Sequence, residues 1–151
     1  MILGPGTVAP DFTLRNQFGQ SVSLDDFRGV SPVTLVFFPL AFSRTCQGEL
    51  CELRDHLDVF REAGSELLGI SVDSKHALRA WSEEQGYDFQ LLADFWPHGD
   101  VARAYGAFLD ERGYANRATF VIGDDGVIRA SFATAPGEAR TLEQYRAALA
   151  G

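Results

Sequence analysis

The fold is decided by residues 37–51, which read Phe37-Phe38-Pro39-Leu40-Ala41-Phe42-Ser43-Arg44-Thr45-Cys46-Gln47-Gly48-Glu49-Leu50-Cys51. An apolar run from Val33 to Phe38 predicts a buried strand, and Pro39 ends it. Ser43 is a preferred N-cap residue, and helical spacing of apolar residues follows it. Cys46 then falls in the first helical turn, where free N–H groups and the helix dipole favour an anion. Since thiolate is the reactive form of cysteine, the sequence predicts a reactive sulfur at a helix N-terminus.

Length and composition predict one globular domain over residues 1–151. A chain of 151 residues with 46% hydrophobic residues can bury a core without disulfide or metal staples. The net charge of −8 argues against nucleic acid and anionic membranes as partners. No run approaches the ~18 apolar residues of a transmembrane helix, and residues 1–6 lack the features of a signal peptide. We therefore expect a cytoplasmic location.

The cysteine and histidine content predicts redox chemistry without a metal or other cofactor. In a chain that is expected to be cytoplasmic, two cysteines are more typical of a redox-active pair than of a structural bridge. Two cysteines cannot form a zinc site unaided, and the three histidines show no ligand spacing. Lys75 is the single lysine, so any cation beside a thiolate is expected to be an arginine, which holds its charge at any working pH.

Hydrophobic periodicity predicts the element order ββ-βαβαβ-α-ββ-α. The predicted elements are a hairpin turning at 16–19, a helical turn at 25–29, strands at 33–38, 66–72 and 89–93, helices at 44–63, 74–85 and 100–105, a hairpin from 118–122 and 127–132, and a helix at 141–150. Strand–helix alternation followed by an antiparallel hairpin predicts an α/β fold. We expect a mixed central sheet with helices on both faces and an N-terminal hairpin.

Helical phase separates the two cysteines. Cys46 lies on the leucine stripe of its helix, toward the edge of the core, whereas Cys51 lies about 140° away and points outward. In an unbroken helix their Cα atoms are roughly 8.6 Å apart, beyond the ~7 Å limit for a disulfide. A bond between them requires the first helical turns to unwind. Gly48, which lies between them, lowers that cost by about 1 kcal/mol relative to alanine.

Each candidate residue also has a structural interpretation. Cys46 is alternatively a small buried apolar residue, and Cys51 an inert, partly exposed thiol. Arg117 directly precedes a predicted central strand, but a surface salt bridge is the default role of an arginine. Glu49 lies early in its helix, where an acid often does no more than favour the dipole.

Residues 39–46 resemble the peroxiredoxin active-site motif, Pro-x-x-x-Thr/Ser-x-x-Cys. The resemblance covers nearly the whole chain, and residues 8–14, 37–42, 93–99 and 115–120 are similar to the AhpE-type peroxiredoxins. The spacing Cys46-x4-Cys51 is instead that of the Q-type (bacterioferritin comigratory) peroxiredoxins, which resolve within the helix. The chain therefore looks like an AhpE-type scaffold that carries a Q-type resolving cysteine.

The resemblance implies a thioredoxin-like fold and a thiol-dependent peroxidase for hydrogen peroxide and organic hydroperoxides. The site residues that it implies are the peroxidatic Cys46, which becomes a sulfenic acid, the resolving Cys51, the thiolate-stabilising Arg117, the hydroxyl-bearing Ser43, the shielding Pro39 and the arginine-orienting Glu49. Ser43 stands where the family usually has threonine, which keeps the hydroxyl but loses the methyl that fixes its rotamer.

Partners follow from the same resemblance. A thioredoxin-like, glutaredoxin-like or low-molecular-weight thiol is expected to reduce the oxidised protein by exchange. No cysteine lies near the C-terminus, so the intersubunit disulfide of the dimeric two-cysteine class is not expected. A homodimer is an expectation from the family, with the aromatic loop at Phe95-Trp96 as a contact.

Several alternatives stay open at this point. One is a one-cysteine peroxidase that an external thiol resolves, and another is a thiol-based redox sensor. A disulfide reductase of the thioredoxin class would use Cys-x-x-Cys, which this chain lacks. The last alternative is a purely structural domain without redox activity.

Overall fold

The structure, a computed structural model, describes residues 1–150. Its strands are β1 (Thr13–Asn16), β2 (Ser21–Ser23), β3 (Val33–Phe37), β4 (Glu66–Ser71), β5 (Gln90–Ala93), β6 (Phe108–Leu109), β7 (Tyr114–Ala115), β8 (Arg117–Ile122) and β9 (Ile128–Thr134). Its helices are α1 (Arg44–Asp55), α2 (Leu57–Glu62), α3 (Lys75–Gln85), α4 (Asp100–Ala104) and α5 (Leu142–Ala150), and Leu24–Phe27 form a 3₁₀ turn.

Seven strands form one mixed sheet in the order β2-β1-β5-β4-β3-β8-β9. β3, β4 and β5 are parallel, and the other neighbouring strands in this sheet pair antiparallel. β3 lies inside the sheet between β4 and β8, and every one of its residues is buried, as its apolar run predicts. The predicted mixed sheet with its N-terminal hairpin is confirmed.

The two faces of the sheet carry separate apolar cores. Along β3, Val33, Leu35 and Phe37 face one core, whereas Val36 and the following Phe38 face the other, because successive side chains of a strand alternate. Helices α1, α2, α3 and α5 cover the second core, and α4 covers the first together with the N-terminal segment. Helices therefore lie on both faces, as predicted.

Local hydrogen bonds explain why the elements begin and end where they do. In the β1–β2 turn, the Asn16 side-chain oxygen accepts from the backbone N–H groups of Phe18 and Gln20. The Ser74 hydroxyl caps α3 by accepting from Ala77 N at 3.2 Å. Gly86 ends that helix in the left-handed region at φ 68°, which glycine adopts without steric cost.

Two parts of the fold differ from the prediction. The helix predicted over 44–63 is two helices, because His56 leaves the helical conformation at φ −128° and ψ 34°. Neither glycine nor proline marks this break. Beyond it, the Phe60 ring packs edge-on against Tyr145 of α5 at 5.8 Å, so tertiary packing accompanies the change of direction. The two-residue strands β6 and β7 form a second small sheet that is too short to give a periodic signal.

The segment between β3 and α1 is held at several points. Phe38 N donates to Ile70 O at 3.0 Å, which continues the pairing of β3 with β4 past the end of the strand. Ala41 N then donates to Asp73 Oδ2 at 2.7 Å. Phe42 follows with φ 66°, a conformation that costs energy for any residue other than glycine. These restraints fix where α1 begins.

Within residues 1–150, no helix has both the length and the apolar composition that a membrane crossing requires.

We expect a Gly69→Ala substitution in β4 to lower the free energy of unfolding by about 1–2 kcal/mol. A Cβ at this position would lie 2.8 Å from Leu91 Cδ2 and 3.3 Å from Phe38 Cε1. Both neighbours are fully buried and cannot move into open space. Urea denaturation measures the change, with Gly137→Ala as the control, because a Cβ there meets nothing within 4 Å. Equal stability of the Gly69→Ala and wild-type proteins would contradict the expectation.

Candidate active site

Cys46 lies in the first turn of α1, as its position after Ser43 predicts. The Ser43 hydroxyl accepts from Cys46 N at 3.4 Å, so this side chain caps the helix. Cys46 itself has no exposed surface. Pro39 is buried in the preceding segment, whereas Leu40 and Phe42 beside it are 39% and 49% exposed. The sulfur is thus enclosed by protein at the point where loop becomes helix.

Arg117 reaches this sulfur from the first residue of β8. Because β8 runs antiparallel to β3, its start lies beside the end of β3, where the chain turns toward α1. Nη2 of Arg117 lies 3.1 Å from Cys46 Sγ and donates to it. Nε of the same guanidinium donates to Pro136 O at 2.7 Å. The side chain is 1% exposed, so the default role of a surface arginine does not apply here.

Glu49 lies almost one turn beyond Cys46 and contacts two arginines. Its Oε1 accepts from Arg117 Nη1 at 2.9 Å and from Arg140 Nη2 at 2.6 Å. Its Oε2 accepts from the Arg140 backbone N at 2.7 Å and from Arg140 Nε at 2.9 Å. Burial alone would raise the pKa of Glu49, but the hydrogen bonds and charge of Arg140, with the charge of Arg117, hold that pKa below its ordinary value.

Arg140 is a site residue that the sequence analysis missed. Nη1 donates to Ala118 O at 2.8 Å and to Thr119 Oγ1 at 2.9 Å, and Nη2 also donates to Phe37 O at 2.8 Å. The residue is 3% exposed and precedes α5. An arginine in a polar segment between a strand and a helix is typical of a solvated surface, so nothing in the local sequence signals its burial.

The buried charges in this cluster do not balance without the sulfur. Arg117 and Arg140 contribute two positive charges, and Glu49 contributes one negative charge. Water reaches none of these three groups to any extent. A buried charge without a partner is costly, and a thiolate at Cys46 would supply the missing negative charge. The arrangement is therefore suited to an ionised, nucleophilic sulfur.

Cys51 lies on another side of α1 and takes no part in this cluster. It is half-buried, with Sγ 3.4 Å from Gln85 Oε1 and 3.5 Å from the Tyr87 hydroxyl oxygen. The prediction that it points outward is wrong, because α3 and the residues that follow it pack against this side of α1. Both cysteines are free thiols within one continuous helix.

The structure thus brings together Cys46, Ser43, Glu49 and Arg117, places Pro39 just before them and leaves Cys51 apart. In the part of the chain that the structure describes, no three or more histidine, cysteine, aspartate or glutamate side chains cluster as metal ligands would.

Comparison with known proteins identifies relatives along almost the whole chain. Residues 5–131 match the AhpC/TSA family. Alkyl hydroperoxide reductase E of Mycobacterium tuberculosis is 49% identical over 149 residues, which cover 99% of this chain and 97% of that protein. The chloroplastic peroxiredoxin Q of Sedum lineare is 34% identical over 125 residues, which cover 82% of this chain and 66% of that protein.

Solved structures agree with the sequence relatives. The crystal structure of Enterococcus faecalis AhpC superposes with a TM-score of 0.88 at 28% identity, covering 99% of this chain and 92% of that one. Peroxidoxin BcpB of Mycobacterium tuberculosis gives a TM-score of 0.84 at 28% identity, with 98% and 95% covered. The thioredoxin-like fold expected from the sequence is confirmed. The chain belongs to the AhpC/TSA family of peroxiredoxins and is a thiol-dependent peroxidase.

Proposed function

We propose that the chain works as one peroxidase domain that reduces hydrogen peroxide and organic hydroperoxides at Cys46. The observation that carries this proposal is the 3.1 Å contact from Arg117 Nη2 to Cys46 Sγ. A guanidinium is always charged and presents its donors in a fixed plane, so it favours an anionic sulfur in one position. The free N–H groups at the start of α1 add to this field.

In the first step, the Cys46 thiolate attacks one oxygen of the peroxide and the O–O bond breaks. The leaving oxygen departs as hydroxide or alkoxide and takes up a proton, giving water or an alcohol, while Cys46 becomes a sulfenic acid. Arg117 and the backbone N–H groups stabilise the negative charge that develops on this oxygen. We assign to the Ser43 hydroxyl, which caps α1 at Cys46 N, the role of donating its hydrogen to the peroxide, and to Pro39 the role of shielding the reacting atoms from water.

Glu49 and Arg140 act as positioning residues for Arg117. Glu49 accepts from Nη1 of Arg117, and Pro136 O accepts from Nε, so Nη2 remains directed at the sulfur. Arg140 fixes Glu49 in turn through three hydrogen bonds. Donors held in place before the reaction need no reorganisation during it, which is the main source of this kind of stabilisation.

In the second step, Cys51 attacks the sulfenic sulfur after α1 unwinds locally, which releases water and forms the Cys46–Cys51 disulfide. A thioredoxin-like, glutaredoxin-like or low-molecular-weight thiol then reduces this bond by exchange. The one-cysteine route, in which the outside thiol attacks the sulfenic acid directly, is the second candidate. This one-cysteine route is favoured by the half-buried position of Cys51 in an intact helix.

We also propose a cytoplasmic location and a homodimer. Phe95 and Trp96 are 54% and 79% exposed and lie in the loop that follows β5. Large exposed aromatic side chains are enriched in protein interfaces, which supports this loop as the dimer contact.

We expect Cys46→Ser to abolish peroxide reduction, because it removes the sulfur that the peroxide oxidises. Cys51→Ser is the matched control, and it should keep the first step while the sulfenic acid accumulates. Stopped-flow oxidation with one equivalent of hydrogen peroxide, followed by intact mass analysis, measures both outcomes. Full multiple-turnover activity of Cys51→Ser with thioredoxin would remove Cys51 from the mechanism, and peroxidase activity of Cys46→Ser would overturn the proposal itself.

For Arg117→Ala, we expect the first step to slow by about 100- to 1,000-fold, which is the usual effect of removing one preorganised donor. The rate of Arg117→Lys should fall between those of wild type and Arg117→Ala. Lysine keeps the positive charge, but it lacks the planar fork with which the guanidinium donates to Cys46, Glu49 and Pro136 at once. The second-order rate constant for peroxide provides the measurement. An Arg117→Ala rate within a factor of two of wild type would show that the guanidinium does not act on the reacting atoms.

We expect Glu49→Gln to lower the free energy of unfolding at neutral pH by about 3–5 kcal/mol, because it leaves two buried guanidinium groups without their carboxylate. The pKa of Glu49 is lowered in the folded protein, so its contribution is complete above the ordinary value of 4.5 and is lost as the pH falls through the lowered pKa. In urea denaturation between pH 7 and about 3, the difference in free energy of unfolding between wild type and Glu49→Gln should therefore become smaller as the pH falls. A gap that is independent of pH would contradict the assignment of the ion pairs.

A further inference from the structure

A row of polar contacts joins α1 to α3 and to the residues after it. On α1, the contacting residues are Gln47, Cys51 and Arg54, which share one face because they are four and three positions apart. Trp81 Nε1 donates to Gln47 Oε1 at 3.3 Å, and Arg54 Nη1 donates to the Gln85 backbone O at 2.6 Å. Cys51 lies between these two contacts, so α1 is attached to α3 both before and after Cys51.

The two hydrogen-bond partners of Cys51 are the Gln85 side-chain amide and the Tyr87 hydroxyl. The Gln85 Nε2 atom donates to Glu84 Oε1 at 3.4 Å, which leaves Gln85 Oε1 facing Cys51. An amide oxygen only accepts, so the Cys51 thiol is the donor in this contact. The Tyr87 hydroxyl lies on the same sulfur at 3.5 Å. Burial raises the pKa of Tyr87 well above its usual range, so this hydroxyl is protonated and can donate to the sulfur.

These contacts exist only while α1 is intact around Cys51. The Cα atoms of the two cysteines are roughly 8.6 Å apart in an ideal helix, which is too far for a disulfide. Cys51 must therefore leave Gln85 and Tyr87 before it can reach Cys46. Whatever stabilises Cys51 in this position raises the barrier to the second step.

We propose that Gln85 and Tyr87 are positioning residues that hold Cys51 in its resting place beside α3 and slow its reaction with the oxidised Cys46. The proposal rests on the proposed function, since it concerns the second step of that reaction. In that step the Cys51 thiol gives up its proton, its sulfur forms a bond to the Cys46 sulfur, and the sulfenic hydroxyl leaves and takes up a proton as water. A slower step keeps the sulfenic acid available for an external thiol, so these two residues set the balance between internal and external resolution.

The test compares Tyr87→Phe and Gln85→Leu with wild type in single-turnover oxidation by hydrogen peroxide. Tyr87→Phe keeps the ring that packs edge-on against Trp81, and Gln85→Leu keeps side-chain bulk while removing the acceptor. Each variant should form the Cys46–Cys51 disulfide roughly two- to tenfold faster, the usual range for the net effect of one hydrogen bond. The rate of the first step should not change. Mass analysis of quenched samples follows the loss of water from the sulfenic acid form.

Tyr105→Phe is the matched control. Its hydroxyl also makes a part-buried hydrogen bond, to Pro10 O at 2.6 Å, but its ring lies in the core on the other face of the sheet. This variant should form the disulfide at the wild-type rate. Unchanged or slower disulfide formation in both Tyr87→Phe and Gln85→Leu would overturn the proposal. If wild type forms no disulfide, its appearance in either variant supports the proposal and its absence from both overturns it.

A second measurement separates this proposal from the peroxidase assignment. In a Cys46→Ser background, Cys51 is the remaining thiol, and its alkylation by iodoacetamide needs no peroxide chemistry. Adding Tyr87→Phe or Gln85→Leu should speed this alkylation by a similar factor, and adding Tyr105→Phe should not. If peroxide failed to oxidise Cys46, the proposed function would be wrong. The alkylation rates would still test whether Gln85 and Tyr87 hold Cys51.

Discussion

The carboxylate of Glu49, shared between two buried guanidinium groups, is the interaction on which the site depends. It joins α1 to β8 through Arg117 and to the segment before α5 through Arg140. Arg140 adds a contact to Phe37 O at the end of β3. Four segments of the chain therefore meet around one charge: the end of β3, α1, β8 and the residues before α5. Because a broken buried ion pair costs several kcal/mol, this cluster fixes the guanidinium donors before any peroxide arrives.

The two cysteines of α1 lie in different environments. Cys46 lies against a guanidinium in a cluster that lacks one negative charge. Cys51, five residues later in the same helix, contacts an amide oxygen and a phenol, which are neutral. The first environment favours a thiolate, which is the reactive form of cysteine. The second environment holds Cys51 by neutral groups, so the difference between the two sulfurs comes from the residues that pack against each side of α1.

Much of the fold and part of the site could be predicted from the sequence, where the signals are local. The apolar run of β3, the Ser43 cap and the position of Cys46 in the first turn depend on neighbouring residues, and the structure agrees with them. Arg140 and the surroundings of Cys51 could not be predicted, because both depend on elements brought together only by folding. The helix break at His56 belongs to the same class, since no glycine or proline marks it.

The two steps of the proposed reaction make opposite demands on the first turns of α1. The contact between Arg117 and Cys46 requires these turns to be folded, because the cap at Ser43 and the register of α1 place the sulfur. A Cys46–Cys51 bond requires them to unwind, because five residues of helix hold the sulfurs apart. One conformation therefore cannot serve both steps. Contacts that stabilise the folded turns therefore favour peroxide reduction and oppose internal resolution, whereas Gly48 between the cysteines makes unwinding less costly than an alanine there would.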